Sequence, residues 1–151
     1  MKGKEILKRH IGHKLTGGLV QSFYLNNDLK DKINVTFLKF DDEWTHITTC
    51  EAETIIRTQD ASIETTESFG DKEFNYPIRQ IKNIAPDFSN CLRKTLMGFK
   101  ELILKDNETV SCGLKFYFAD DINFVIKNDN SQDGKSEYYF NSVYFDDIKE
   151  K

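Results

Sequence analysis

Histidine, cysteine and carboxylate side chains can carry chemistry in this chain at four places. His10 and His13 stand three residues apart, a spacing at which two imidazoles can share a metal. No neighbouring cysteine or acid completes a ligand set, and His10 falls on an apolar stripe. The pair is therefore expected at the edge of the core, with no metal and no cofactor. His46 precedes Cys50 by four residues in a predicted strand. A cysteine nucleophile needs its base within hydrogen-bond reach, so a buried, inert thiol is the plainer reading. Asp129-Asn130-Ser131-Gln132-Asp133-Gly134 sets oxygen ligands at alternate positions before a glycine, like the opening of a calcium loop. Phe140 stands at the twelfth position, where a bidentate Glu belongs, although Glu137 holds the ninth. A hairpin loop is expected instead.

The fourth grouping is the adjacent acids Asp41-Asp42, Asp120-Asp121 and Asp146-Asp147. General acid–base work needs carboxylates on opposite sides of a reacting bond, whereas neighbours in a strand point apart. Solvated turns or interface charge are the expected roles. Aromatic residues accompany the acids. Trp44 follows Asp42-Glu43, and Tyr138, Tyr139, Phe140, Tyr144 and Phe145 lie among Asp129, Asp133, Glu137, Asp146 and Asp147. Tyrosine and tryptophan suit protein interfaces because they pair an apolar body with a polar tip. The candidate partner-binding set is therefore Asp41, Asp42, Glu43, Trp44, Asp120, Asp121, Asp129, Asp133, Glu137, Tyr138, Tyr139, Tyr144, Asp146 and Asp147. By alternation, about half of the strand aromatics face outward.

The elements that would position these residues can be read from periodicity. Ile6, Leu7, Ile11 and Leu15 form a helical stripe, with Gly17-Gly18 as its expected C-cap. Asp87 is an expected N-cap for a second helix through Phe88, Cys91, Leu92, Thr95, Leu96 and Phe99. A shift of 81 lays Leu7 on Phe88, Ile11 on Leu92, Leu15 on Leu96 and Gly17 on Gly98. Each helix is followed by a strand, a turn, an aromatic strand, an acidic turn and a returning strand. The first unit has strands at 19–25, 35–40, 44–49, 54–58, 62–66 and 72–78. The second has them at 101–104, 114–118, 122–127 and 137–144. This predicts an α+β fold, mainly antiparallel sheet with two amphipathic helices, in one domain built from units 1–80 and 81–151. The rival is a chance match between two meanders.

Composition bounds the function. With 151 residues, 13% aromatic and only two prolines, the chain can bury a core and has no long linker. The three cysteines are odd in number and widely spaced, so reduced thiols are expected. No apolar run has signal-peptide or membrane-span length, and a cytoplasmic protein is expected. Net charge is −4 and unevenly spread: residues 41–73 carry ten acids against two Lys/Arg, residues 74–118 four acids against seven. Such fields attract partners of opposite sign.

This size, the Lys/Asn/Phe-rich composition and the repeated strand-and-acidic-turn units resemble the immunity proteins of bacterial polymorphic toxin and contact-dependent inhibition systems. The resemblance implies a cognate protein toxin with a basic face, such as a nuclease, neutralised by occlusion and not by catalysis. Two other readings stand beside it. One is an enzyme or small-ligand protein with a pocket between sheet and helix, for which His46, Cys50 and Cys112 are the first residues to test. The other is a nucleic-acid binder using Lys2, Lys4, Lys8, Arg9 and Lys14, disfavoured by the acidic whole.

Overall fold

In a computed structural model, residues 1–129, 135–141 and 144–151 are described, and they form two antiparallel sheets around a shared core. Asp133 and the glycine end of the calcium-like loop lie outside the described residues, as do positions 142 and 143 of the expected strand at 137–144. The first sheet has the order β4-β3-β2-β1, with β1 at Leu15–Leu25, β2 at Asp28–Phe40, β3 at Glu43–Cys50 and β4 at Glu53–Gln59. Two short strands, β5 (Phe74–Asn75) and β6 (Ile78–Gln80), pair with the free side of β1. The second sheet has the order β10-β9-β8-β7-β11. Its strands are β7 (Leu96–Leu104), β8 (Ser111–Phe118), β9 (Asn123–Asn128), β10 (Ser136–Phe140) and β11 (Ile148–Glu150). Among the described residues, no helix is long and apolar enough to cross a membrane.

Turn chemistry explains both meanders. Asn26-Asn27 and Asp120-Asp121 adopt positive φ at both central residues, the requirement of the two-residue turn that matches strand twist. Asn and Asp tolerate this conformation better than other side chains. Asp41 has φ 49° for the same reason. The acidic turns thus have a conformational role whatever else they do.

The helices are shorter than the periodicity suggests. α1 spans Lys4–Arg9 and stops before Gly12, whose φ of 92° turns the chain. Leu15 opens β1 instead of closing a helix, and Gly17-Gly18 lie inside that strand. In the second unit a 3-10 helix covers Pro86–Asn90 after the one-turn α2 (Ile81–Ile84), and Leu96 opens β7. The stripe at 88–99 therefore crosses from helix to strand at Arg93, whose φ is 67°. The expected strand at 62–66 reduces to a single bridge between Thr66 and Ile78, and β11 has no counterpart among the expected strands.

The offset of 81 recurs in the geometry. Leu7 and Phe88 are both buried helix residues, and bulges fall between Leu15 and Gly17 and between Leu96 and Gly98. Lys14, 81 residues before Thr95, forms an antiparallel bridge with it. The inner faces contribute Leu15, Val20, Leu38, Phe40 and Ile47 from one sheet and Leu96, Leu114, Phe116, Phe124 and Ile126 from the other. Two hydroxyl pairs tie the sheets together, the buried Thr54 to Ser111 and the partly buried Thr36 to Tyr138, each at 2.7 Å. A satellite cluster of Leu102, Cys112, Val125 and Ile148, the last from the edge strand β11, forms on the second sheet with Phe145 packed against it.

His10 sits in the main core region. Its ring stacks on Phe40 at 4.8 Å, and Nε2 meets Thr45 Oγ1 at 2.9 Å. Burial, the dominant influence, lowers its pKa, and burial then Arg57 lower that of His46. The folded state thus favours the neutral form of both, while unfolded imidazoles take up protons near pH 6.5. Stability is therefore full above that pH and falls as pH drops through it. The urea midpoint should be lower at pH 5 than at pH 7.5, and His10→Gln should flatten the difference. An unchanged slope in the variant would contradict the burial argument.

Candidate functional site

Four backbone segments meet at one end of the molecule. Leu15 N–H donates to Lys94 O at 3.0 Å, and Leu96 N–H to His13 O at 2.8 Å. On one flank Asp41 N–H donates to Lys14 O; on the other, Ala119 N–H donates to Thr95 O. This band carries both acidic turns, Asp41-Asp42 and Asp120-Asp121, to the same end of the fold although 79 residues separate them. Nitrogen donors from the linking segments meet them there. His13 Nδ1 lies 2.6 Å from Asp41 Oδ2, and Lys94 Nζ lies 2.5 Å from Asp120. The hydrogen bond from His13, then the one from Lys14 N–H, holds the Asp41 carboxyl below the usual carboxylate range. Asp41 and Asp120 thus serve the junction first.

Asp42, Glu43 and Asp121 are exposed beyond it. Among the described residues, the ion-pair partner of Asp42 is Lys39, at 3.8 Å. Strand register then surrounds Trp44 with function-bearing groups. Lys39 pairs with both Gly17 and Trp44, and Trp44 pairs with Gln59, so all four share the outer face of the first sheet. A Cβ on Gly17 would stand 3.4 Å from the indole, in van der Waals contact, so the ring lies over this glycine. Lys39 Nζ lies 6.0 Å from the ring centroid. On one side of Trp44 is a cleft of about 390 Å³ edged by Asp42, Glu43 and Asp60. On the other is a cleft of about 570 Å³ floored by Gly17 and Gly18 and walled by Ile63, Phe88 and Leu92, with Glu64 and Lys82 at its margin. Asp60, Gly17 and Ile63 are absent from the sequence-derived set. Only the register that sets Gln59 opposite Trp44 reveals them.

No protein-family model, curated protein or solved structure matches this chain.

The remaining sequence candidates lie elsewhere. β8 and β9 join at Asp120-Asp121, so Asp129, at the far end of β9, is at the opposite end of the fold. Asp146 and Asp147 are also distant: their carbonyls accept hydrogen bonds from Lys105, just past the far end of β7. Tyr144 is 76% exposed and stacks under the Lys105 ammonium at 5.3 Å. Glu137 accepts a hydrogen bond from Tyr139, whose ring packs on Phe145. That bond, with burial second, pushes the Tyr139 hydroxyl up to about 12. Tyr138 points inward: its ring packs against the core and its hydroxyl is bonded to Thr36, so the hydroxyl is not offered to a partner. Its neighbour Tyr139 takes the outward phase of the strand.

The chemistry-bearing groups are dispersed. Among the described residues, no three His, Cys, Asp or Glu side chains are placed to hold a metal ion. Four residues along a strand put His46 ~13 Å from Cys50. His46 stacks on Phe37, Cys50 is exposed, and Cys112 is buried. Cys91 is buried too, and its thiol is pushed up to about 12 by burial and then by Asp87. Of the basic N-terminal side chains, Lys2 pairs with Glu53 and Lys8 with Glu5.

Proposed function

We propose that this chain is a non-catalytic, protein-binding module of the immunity type, which occludes a basic protein toxin through the end that carries Trp44. The observation that carries the reading is the set of Asp42, Glu43 and Asp60 edging one of the two clefts beside the half-buried indole. An aromatic anchor beside a cavity, bordered by charge, is the usual anatomy of an energetic hot spot. In this account a partner side chain enters the larger cleft against Trp44, while the carboxylates steer the encounter. A nuclease-like toxin presents a positive substrate face and would be blocked by such a surface.

The test is association kinetics between the purified chain and the toxin-like product of the adjoining reading frame. Asp42→Lys with Glu43→Lys should slow association by about tenfold at low salt and leave stability unchanged. Trp44→Ala should act on dissociation instead, raising it by about 30-fold, equivalent to about 2 kcal/mol. Association rates indifferent to both changes would remove this face from the interaction.

A further inference from the structure

The two units differ at one edge, and the difference leaves a groove. In the first unit, the free edge of β4 is closed by the N-terminal segment. Lys2 N–H donates to Thr54 O at 2.9 Å, and Ile56 N–H donates to Lys2 O at 3.0 Å, forming a parallel bridge. Gly3 makes this approach feasible, because a Cβ there would lie 2.1 Å from Ile56 O. In the second unit, β10 takes the place of β4, with Ser136 and Tyr138 equivalent to Thr54 and Ile56. Lys135 O and Asn141 N–H are both bonded to β9. Alternation then turns the backbone groups of Ser136, Tyr138 and Phe140 to the other edge. No described strand pairs there.

The segment equivalent to Lys2-Gly3 is Asn83-Ile84. The isoleucine side chain cannot approach a strand as closely as Gly3 does, and Ile84 and Ala85 instead form one wall of a cavity of about 450 Å³. Ser136 and Tyr138 form the other wall, with Ile33 between them. Lys30, Lys32 and Lys135 line the groove, and Glu137, which already accepts the Tyr139 hydroxyl, is the one acid among its described lining residues. Among the described residues, Lys30 has one long ion pair, 3.8 Å from Asp28. An acidic protein thus has a cationic groove beside an open strand edge.

We propose that this groove accepts an extended acidic peptide segment of a partner protein, which adds to β10 in parallel as Lys2 adds to β4. The peptide backbone donates to Ser136 O and accepts from Tyr138 N–H. An apolar side chain rests on Ile33 and Ile84, and flanking carboxylates meet Lys30 and Lys32. Strand addition of this kind takes affinity from main-chain bonds and selectivity from the side-chain pockets.

The probe is a fluorescein-labelled hexapeptide, Asp-Glu-Val-Asp-Glu-Asp, titrated into the full chain. Saturable binding should perturb the amide resonances of Ser136 and Tyr138. It should weaken by about tenfold in Lys30→Glu/Lys32→Glu. Of two peptides N-methylated on alternate amides, one should lose binding by about tenfold and the other retain it, because only alternate residues face the edge. Absence of saturable binding overturns the proposal, as does equal binding of both methylated peptides or indifference to the lysine changes. A dimer in sedimentation that buries β10 would assign the groove to a second copy and also overturn it.

Discussion

Phe124→Ala should lower the unfolding free energy by about 3–5 kcal/mol, toward the upper end of that range for a buried ring. Phe124 is fully buried on β9. Four rings surround it, with centroids at 5.3 Å (Phe88), 5.9 Å (Phe116), 5.2 Å (Tyr138) and 5.3 Å (Phe140). These neighbours come from the 3-10 helix and from the two strands beside β9, so no single shift fills the space. A cavity that cannot collapse costs more than the lost transfer energy alone. Domains have about 5–15 kcal/mol in total, so the variant should be near the limit of folding at 37 °C. Urea titration reads this as a lower midpoint with an unchanged slope. A loss below about 2 kcal/mol would show that the ring cluster relaxes, contrary to this packing.

Gly113→Ala should cost about 3–5 kcal/mol, whereas Gly98→Ala, the same change one strand away, should be nearly neutral. Gly113 has φ 125°, and a Cβ there would lie 2.0 Å from the carbonyl oxygen of Ile126 on β9. The obstacle is backbone, so the strands must separate or β8 must rotate. The site also follows the register shift between β7 and β8, where Cys112 is the extra residue. Gly98 has no positive φ, and its Cβ would meet nothing within 4 Å. Thermal unfolding of the two variants side by side checks the contrast. Similar losses in both would refute the steric argument.

Much of the fold is legible in the residues. Asn26-Asn27 and the acidic pairs mark turns because few side chains accept positive φ, and the strands between them follow. The helix stripes mislead because Leu15 and Leu96 continue a helical period while opening strands. The chain direction changes at Gly12 and Arg93, and an arginine with positive φ carries no local signal. β11 escapes because Ile148 is its only apolar residue. For the aromatics, alternation is readable but its phase is not. Thr36, 102 residues away from Tyr138, decides that Tyr138 turns inward and Tyr139 outward. The Trp44 surface is half legible in the same way. Asp42-Glu43-Trp44 stand together in sequence, but Gly17, Asp60 and Ile63 join them only through strand pairing.

Trp44 is the chain's single tryptophan, so it can report on its own surface. The most direct measurement is the fluorine resonance of 5-fluorotryptophan-labelled protein titrated with the unlabelled toxin candidate. Contact at this end requires the resonance to move and to saturate at one equivalent, and Asp42→Lys/Glu43→Lys should slow its approach to the bound position. If the complex forms, as judged by mass, while the resonance stays in place, the partner binds elsewhere and the Trp44 face is not the site.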